Sequence, residues 1–177
     1  MQRRQNALNK WVKNQFGSSN FTIQPLAGDA SFRRYLRIYH NNQSYVLMDA
    51  PPEKEDIKPF LQVGKILADI GIYTPKVHAC EHQQGFLLLE DLGDQLLLSC
   101  IGEKNADDLY KKAISILIQL QQCDTRDLPL PHFNEVYMKE ELNLFRVWFL
   151  DAFLNLNLSK QQNELLDETF DRLIAKI

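Results

Sequence analysis

Leu26-Ala27-Gly28-Asp29-Ala30-Ser31-Phe32-Arg33-Arg34-Tyr35 is the stretch on which the reading turns. Gly28 lets a tight turn bring backbone N–H groups close to an anion, and the Ser31 hydroxyl offers one more donor. Strand-like segments flank this turn. Residues 21–25 precede it as a short strand candidate. Residues 32–40 follow, with Leu36 and Ile38 alternating against Arg37 and Tyr39. Asn41-Asn42 reads as a hairpin turn, because asparagine tolerates positive φ. Residues 44–49 form the third strand, closed by Pro51-Pro52, since proline cannot donate to a ladder. Taken alone, Gly-Asp is ordinary turn chemistry, so the turn gains meaning only from what comes after it.

What comes after is a helix over 53–70, with Ile57, Phe60, Leu61, Gly64, Leu67 and Ala68 on one face. Its acidic start, Glu53, Glu55 and Asp56, suits the helix dipole; Pro59 belongs in the first turn, and Gly71 marks the stop. A second hairpin pairs 76–81 with 85–90 around Gln83-Gln84-Gly85. Phe86-Leu87-Leu88-Leu89 is apolar throughout, as a strand covered on both faces must be. It runs into Glu90-Asp91-Leu92-Gly93, a connector whose outward backbone could offer an adenine ring one acceptor and one donor. A strand that simply ends in a turn is equally common. From Ala106 onward the pattern is helical. Leu109, Ala113, Ile116, Leu117 and Leu120 make one stripe. Tyr137, Glu141, Leu144, Phe145, Trp148, Phe149, Ala152 and Phe153 make another, and Ser159-x-x-Gln162 is a capping box opening a last helix. The change in composition places a boundary at 94–105.

The 177 residues, 45% of them hydrophobic, suit one globular domain or a small lobe with part of another. A net charge of −3 leaves no footprint for nucleic acid. No apolar run approaches the ~20 residues that span a bilayer, and the first residues have no secretory apolar core. Cys80, Cys100 and Cys123 lack C-x-x-C spacing and fit reduced thiols in the cytoplasm.

Neither G-x-x-x-x-G-K-[ST] nor G-x-G-x-x-G is present. A glycine turn between the first two strands is instead how kinases cover nucleotide phosphates, with a lysine on the third strand pairing them. Met48 stands where that lysine belongs. It reads as core packing, and another cation, Arg33 or Arg34, could do the work; both arginines also fit a solvated strand face. Glu140 and Glu141 accompany Trp148 on an aromatic helix, which is how sugars are often held, although a solvated face beside a core ring explains them too. No His-x-Asp with an asparagine five residues further on occurs.

L-A-G-D-A-S-F-R-R-Y, V-L-M-D-A-P-P-E-K-E-D and G-F-L-L-L-E-D-L-G-D, in that order, resemble the bacterial amino-sugar kinases of the aminoglycoside phosphotransferase superfamily. Within it they look most like the anomeric N-acetylmuramate/N-acetylglucosamine kinases of cell-wall recycling, and K-E-E-L-N-L-F-x-x-W-F-L is similar to the start of their sugar-side helices. The resemblance implies an α+β fold: a protein-kinase-like N-lobe, an antiparallel sheet plus one helix, followed by the first helices of a helical C-lobe. It implies a nucleotide-binding lobe at 1–93, a linker at 94–105 and a sugar-side partial lobe at 106–177. Gly28, Asp29, Ala30, Ser31 and Phe32 would then cover the ATP phosphates, Arg33 and Met48 would belong to the same ATP site, and Glu90, Asp91, Leu92 and Gly93 would meet the adenine. ATP and Mg²⁺ are the implied cofactors. The family's catalytic and metal-binding aspartates have no counterpart, so no catalytic or metal residue is assigned, and the sugar side rests on Glu140, Glu141 and Trp148. Because the resemblance covers the front half of a family member, these residues alone are expected to be inactive. They would be completed by a C-terminal half, or would self-associate through an apolar face at 165–174. A non-catalytic nucleotide-binding scaffold, or a kinase for another small alcohol such as an aminoglycoside or choline, are the alternatives.

Overall fold

The computed structural model describes residues 2–26, 31–126, 128 and 130–177. Alternating strands in the first half build a five-stranded, fully antiparallel sheet: β1 (Thr22–Pro25), β2 (Arg34–His40), β3 (Gln43–Asp49), β4 (Val77–Glu81) and β5 (Phe86–Glu90), in the order β1-β2-β3-β5-β4. Asn41 and Asn42 both carry positive φ, 48° and 61°, and close the β2–β3 hairpin as a two-residue turn that matches strand twist. The β4–β5 turn ends at Gly85, φ +67°, where an added Cβ would lie 1.9 Å from the Ala50 carbonyl oxygen. The close approach carries a hydrogen bond from Ala50 N–H to Gly85 O, 2.9 Å.

The pleat sends alternate residues to two cores. On one face, Ile38, Leu47, Phe86 and Leu88 pack with Leu8, Trp11 and Val12 of helix α1 (Gln2–Phe16). On the other, Met48, Ala50, Leu87 and Leu89 pack with Ile57 and with Phe60 and Leu61 of helix α2 (Lys58–Asp69). Strand β5 therefore is buried on both faces, as its unbroken apolar run requires.

Helix α2 is shorter than the periodicity suggests. Glu53, Glu55 and Asp56 precede it, in a turn where the N–H groups of Lys54 and Glu55 both donate to Pro51 O. Pro59 sits in the first turn and lacks the N–H that a longer helix would need there. The acidic residues do other work instead: Asp56 accepts from Lys58 N–H at 2.9 Å, and Glu55 binds Arg33. Gly71, φ +79°, follows the helix end as expected.

A buried carboxylate joins three of these elements. Asp49, at 0% exposure, receives Arg4 Nε of α1 at 2.7 Å and Arg34 Nε of β2 at 2.9 Å. Arg4 also donates to Gln84 O at 2.8 Å and lies over the Phe86 ring at 4.8 Å.

Beyond the sheet lie a single turn, α3 (Leu97–Cys100), and helices α4 (Ala106–Gln121), α5 (Glu135–Leu144) and α6 (Lys160–Ile174). Among the described residues, no helix is long and apolar enough to cross a membrane. The chain divides into two compact units, Met1–Cys123 and Asp124–Ile177, so α4 groups with the sheet. In the second unit α5 continues as a π-helix, Phe145–Phe153, where an ordinary α-helical stripe was expected. Its Phe145, Phe149 and Phe153 rings stack at 5.2 and 5.9 Å. The Ser159–Gln162 capping box starts α6. Of the α6 stripe, Phe170 and Ile174 are buried and Leu165 and Leu173 are exposed.

Removing one arm of the Asp49 clamp leaves a buried carboxylate half satisfied. Arg4→Met is expected to lower stability by roughly 2–4 kcal/mol. Arg34→Met should cost less, because Arg34 is 49% exposed. Urea unfolding followed by circular dichroism checks both.

Candidate functional site

Of the residues that the sequence singled out, Ser31, Phe32 and Arg33 lie in the connection between β1 and β2, Met48 on the α2 face of β3, and Glu90, Asp91, Leu92 and Gly93 at the end of β5. The first ladder extends past β1 through Leu26 N–H to Tyr35 O, 2.9 Å. Gly28, Asp29 and Ala30 lie outside the described residues. Just after them, Ser31 Oγ accepts from Arg33 N–H at 3.1 Å. Phe32 is 60% exposed and sits under the Lys54 ammonium at 4.4 Å. Arg33 Nε reaches Glu55 Oε2 at 3.1 Å. Burial opposes the Arg33 charge, but the Tyr35 side chain and Glu55 outweigh it and hold its pKa above the ordinary arginine value.

Met48 is fully buried in the apolar cluster beneath α2. Its strand therefore presents no cation to this face. Arg34, opposite Asp49 in the register, turns to the α1 side and is taken by the buried carboxylate.

At the other end, three carboxylates anchor the connector after β5. Glu90 accepts from the Tyr73 hydroxyl and from Lys76 N–H at 3.1 Å. These two bonds, Tyr73 first, hold its carboxyl below the usual carboxylate range. Asp91 lies 2.7 Å from Arg37 Nε and accepts from Gly93 N–H at 3.0 Å, with Gly93 at φ +79°. Burial alone would raise the Asp91 carboxyl, but Arg37, the Gly93 N–H and Ser44 overcome that and lower it. Asp94 takes Arg37 Nη1 at 2.7 Å, and that bond lowers its pKa as well. The same two carboxylates, Asp94 before Asp91, hold the Arg37 guanidinium above its ordinary value. With the Glu90 and Asp91 side chains tied back and Leu92 57% exposed, the connector is fixed by its side chains. Within its backbone, Glu90 N–H is engaged by Lys76 O at 2.8 Å and Gly93 N–H by Asp91, which leaves the other backbone groups as what it has to offer.

Arg37, Tyr73 and Glu55 were not singled out as site residues by the sequence. Arg37 had one signal: a charge at the strand position that faces Val46 in the register, on the same face as Tyr35. Depressions of the first unit lie elsewhere. One of about 740 Å³ runs between α2 and residues 74–77, and one of about 640 Å³ between α1 and β1. Neither is lined by a described residue of the β1–β2 turn or of the connector.

In the second unit, Glu140, Glu141 and Trp148 are all exposed, Trp148 at 66%. Glu140 borders a depression of about 330 Å³ with Lys139, Asn143, Asp167, Phe170 and Asp171; Glu141 and Trp148 are not part of its lining.

A family model described as "Phosphotransferase enzyme family" (APH) matches residues 22–177. The chain is 42% identical over 134 residues to the N-acetylmuramate/N-acetylglucosamine kinase of Pseudomonas aeruginosa, covering 76% of this chain and 39% of that protein. It is 37% identical over 154 residues to the Pseudomonas putida kinase of the same name, covering 87% and 44%. It is 32% identical over 179 residues to that of Neisseria meningitidis, covering 98% and 53%. The chain thus spans between two-fifths and about half the length of these curated relatives. A solved structure from Ralstonia eutropha JMP134, provisionally called an aminoglycoside phosphotransferase, superposes with a TM-score of 0.60 at 15% identity. The match covers 92% of this chain and 51% of that one, and the likeness is one of fold.

Losing Arg37 should show in acid. An unfolded aspartate titrates near 3.9. Asp91 and Asp94 titrate lower when folded. Their contribution to stability is therefore complete above that value and fades as pH falls through the folded pKa values. Arg37→Met is expected to flatten this acid limb. Urea midpoints measured between pH 2.5 and 7 check it; an unchanged limb would contradict the assignment.

Proposed function

The chain belongs to the phosphotransferase enzyme family, and we propose that it is the nucleotide-holding part of an amino-sugar kinase. The full enzyme would pass the γ-phosphate of ATP to the anomeric hydroxyl of N-acetylmuramate or N-acetylglucosamine, in the cytoplasm, as a step of cell-wall recycling. The observation that carries this reading is the run of relatives sharing one name at 30–42% identity. The anchored connector after β5 supports it from the physical side.

On this reading residues 1–93 form the nucleotide lobe, 94–105 the linker and 106–177 the beginning of the sugar-side lobe. Gly28, Asp29, Ala30, Ser31 and Phe32 cover the phosphates, with Arg33 beside them. Met48 backs the cleft from within the core. Glu90, Asp91, Leu92 and Gly93 present backbone to adenine, and Glu140, Glu141 and Trp148 face the sugar.

Phosphoryl transfer asks a protein mainly for positioning and charge neutralisation. The hydroxyl oxygen attacks the γ-phosphorus, the bond to the β–γ bridging oxygen breaks, ADP leaves, and the hydroxyl proton passes to a base. Holding the nucleotide in line is the part of this task that these residues would perform. Mg²⁺ is the metal such a reaction normally uses. Among the described residues no group of His, Cys, Asp and Glu is arranged to hold a metal ion, so no step is derived through it. The sequence likewise has no His-x-Asp with a following asparagine to receive the proton.

The test is turnover by the protein at the length of its relatives, with ATP and N-acetylmuramate, N-acetylglucosamine, an aminoglycoside or choline, followed by ³¹P NMR. A phosphate coupled to the anomeric proton of an amino sugar is the expected product. Phosphorylation of choline or the aminoglycoside alone, or nucleotide binding with no transfer to any of them, would overturn the amino-sugar reading.

A further inference from the structure

Three arginines crowd the start of β2 and its α2 face, and the nucleotide lobe proposed above needs one of them. The third-strand position that normally carries a phosphate-pairing lysine holds Met48, at 0% exposure in an apolar cluster. A triphosphate therefore has to find its cation elsewhere.

Arg34 is committed. It lies across the ladder from Asp49 and binds that fully buried carboxylate on the α1 side of the sheet. Moving it would strand half of a buried charge, at substantial cost. Arg37 is committed as well, between Asp91 and Asp94 at the connector. Arg33 differs from both. It directly precedes β2, and its side chain meets Glu55 and Tyr35, which packs on the Met48 cluster. Glu55 holds it through Nε at 3.1 Å. A guanidinium carries five donors in a rigid fork, more than Glu55 and Tyr35 together take up.

Glu55 is itself well placed to orient that fork. Its N–H donates to Pro51 O at 2.9 Å in the turn that ends β3, and its side chain is 17% exposed. The Arg33–Glu55 pair consequently spans from the phosphate turn to the segment leading into α2. A lysine on β3 paired with a glutamate on the helix makes the same link in other kinases.

We propose that Arg33, oriented by Glu55, grips the nucleotide phosphates in place of the missing third-strand lysine. Glu55 is a positioning residue, and Arg33 is a phosphate ligand. This inference rests on the nucleotide-binding reading above, and the experiment separates the two.

Adenosine, ADP and ATP are titrated calorimetrically into the wild-type protein, Arg33→Met, Arg33→Lys and Glu55→Gln, with thermal melts to confirm folding. Arg33→Met should weaken ADP and ATP roughly ten- to hundredfold and leave adenosine within about twofold. Arg33→Lys should recover part of the loss. Glu55→Gln should weaken ADP and ATP by a smaller factor, again sparing adenosine. Equal losses for adenosine and ATP, or unchanged affinities in Arg33→Met and Glu55→Gln, would overturn the proposal while leaving the nucleotide site intact. A wild-type protein that binds none of the three ligands would overturn the nucleotide-binding reading, and the Arg33 assignment with it.

Discussion

A single buried carboxylate fixes the geometry on which the rest depends. Asp49 ends β3 with no exposure to solvent, and an unpaired charge there would be prohibitively costly. Arg4 comes from the first turn of α1, and Arg34 from the first position of β2. Satisfying Asp49 therefore docks the N-terminal helix and sets which way β2 faces. Once Arg34 points to the α1 side, Tyr35 and Arg37 must point to the α2 side, because neighbouring strand residues alternate. The Arg37 charge beside the connector is thus placed by a contact on the opposite face.

The connector shows the complementary device. Its floor is the apolar β5, buried on both faces, which gives it rigidity without polarity. The carboxylates that follow are each given a partner: Tyr73 for Glu90, and Arg37 for Asp91 and Asp94. Tying these side chains down removes their rotameric freedom before any ligand arrives, which is how a site lowers the entropic cost of binding. Arg37 also links the connector to the strand that carries the turn, so the two ends of the surface are held in one frame.

Much of this frame could be read from the residues. Strand alternation, the Asn-Asn turn, Gly85, Gly71 and the Ser159 capping box are local signals, and local chemistry decides them. The overestimate of α2 arose because Glu53, Glu55 and Asp56 suit a helix start, yet Pro51 and Pro59 direct the chain into a turn first. Periodicity alone gave no sign of the π-helix, since residues four apart lie on one side in either helix type. The Asp49 clamp and the Arg37 bridge were illegible for another reason. Each joins residues far apart in sequence, 45 positions between Arg4 and Asp49 and 57 between Arg37 and Asp94, and no spacing rule reports such a pair. The resemblance reached the turn and the connector because their residues are contiguous.

The central claim is that the α2 face of this sheet is a nucleotide surface bounded by the β1–β2 turn and the connector after β5. Amide NMR shifts recorded while a non-hydrolysable ATP analogue is added test it most directly. The account predicts perturbations concentrated at residues 28–33 and 90–93, with little change around the depressions beside α1 and between α2 and residues 74–77. Shifts confined to those depressions or to residues 124–177, or none at saturating analogue, would contradict it.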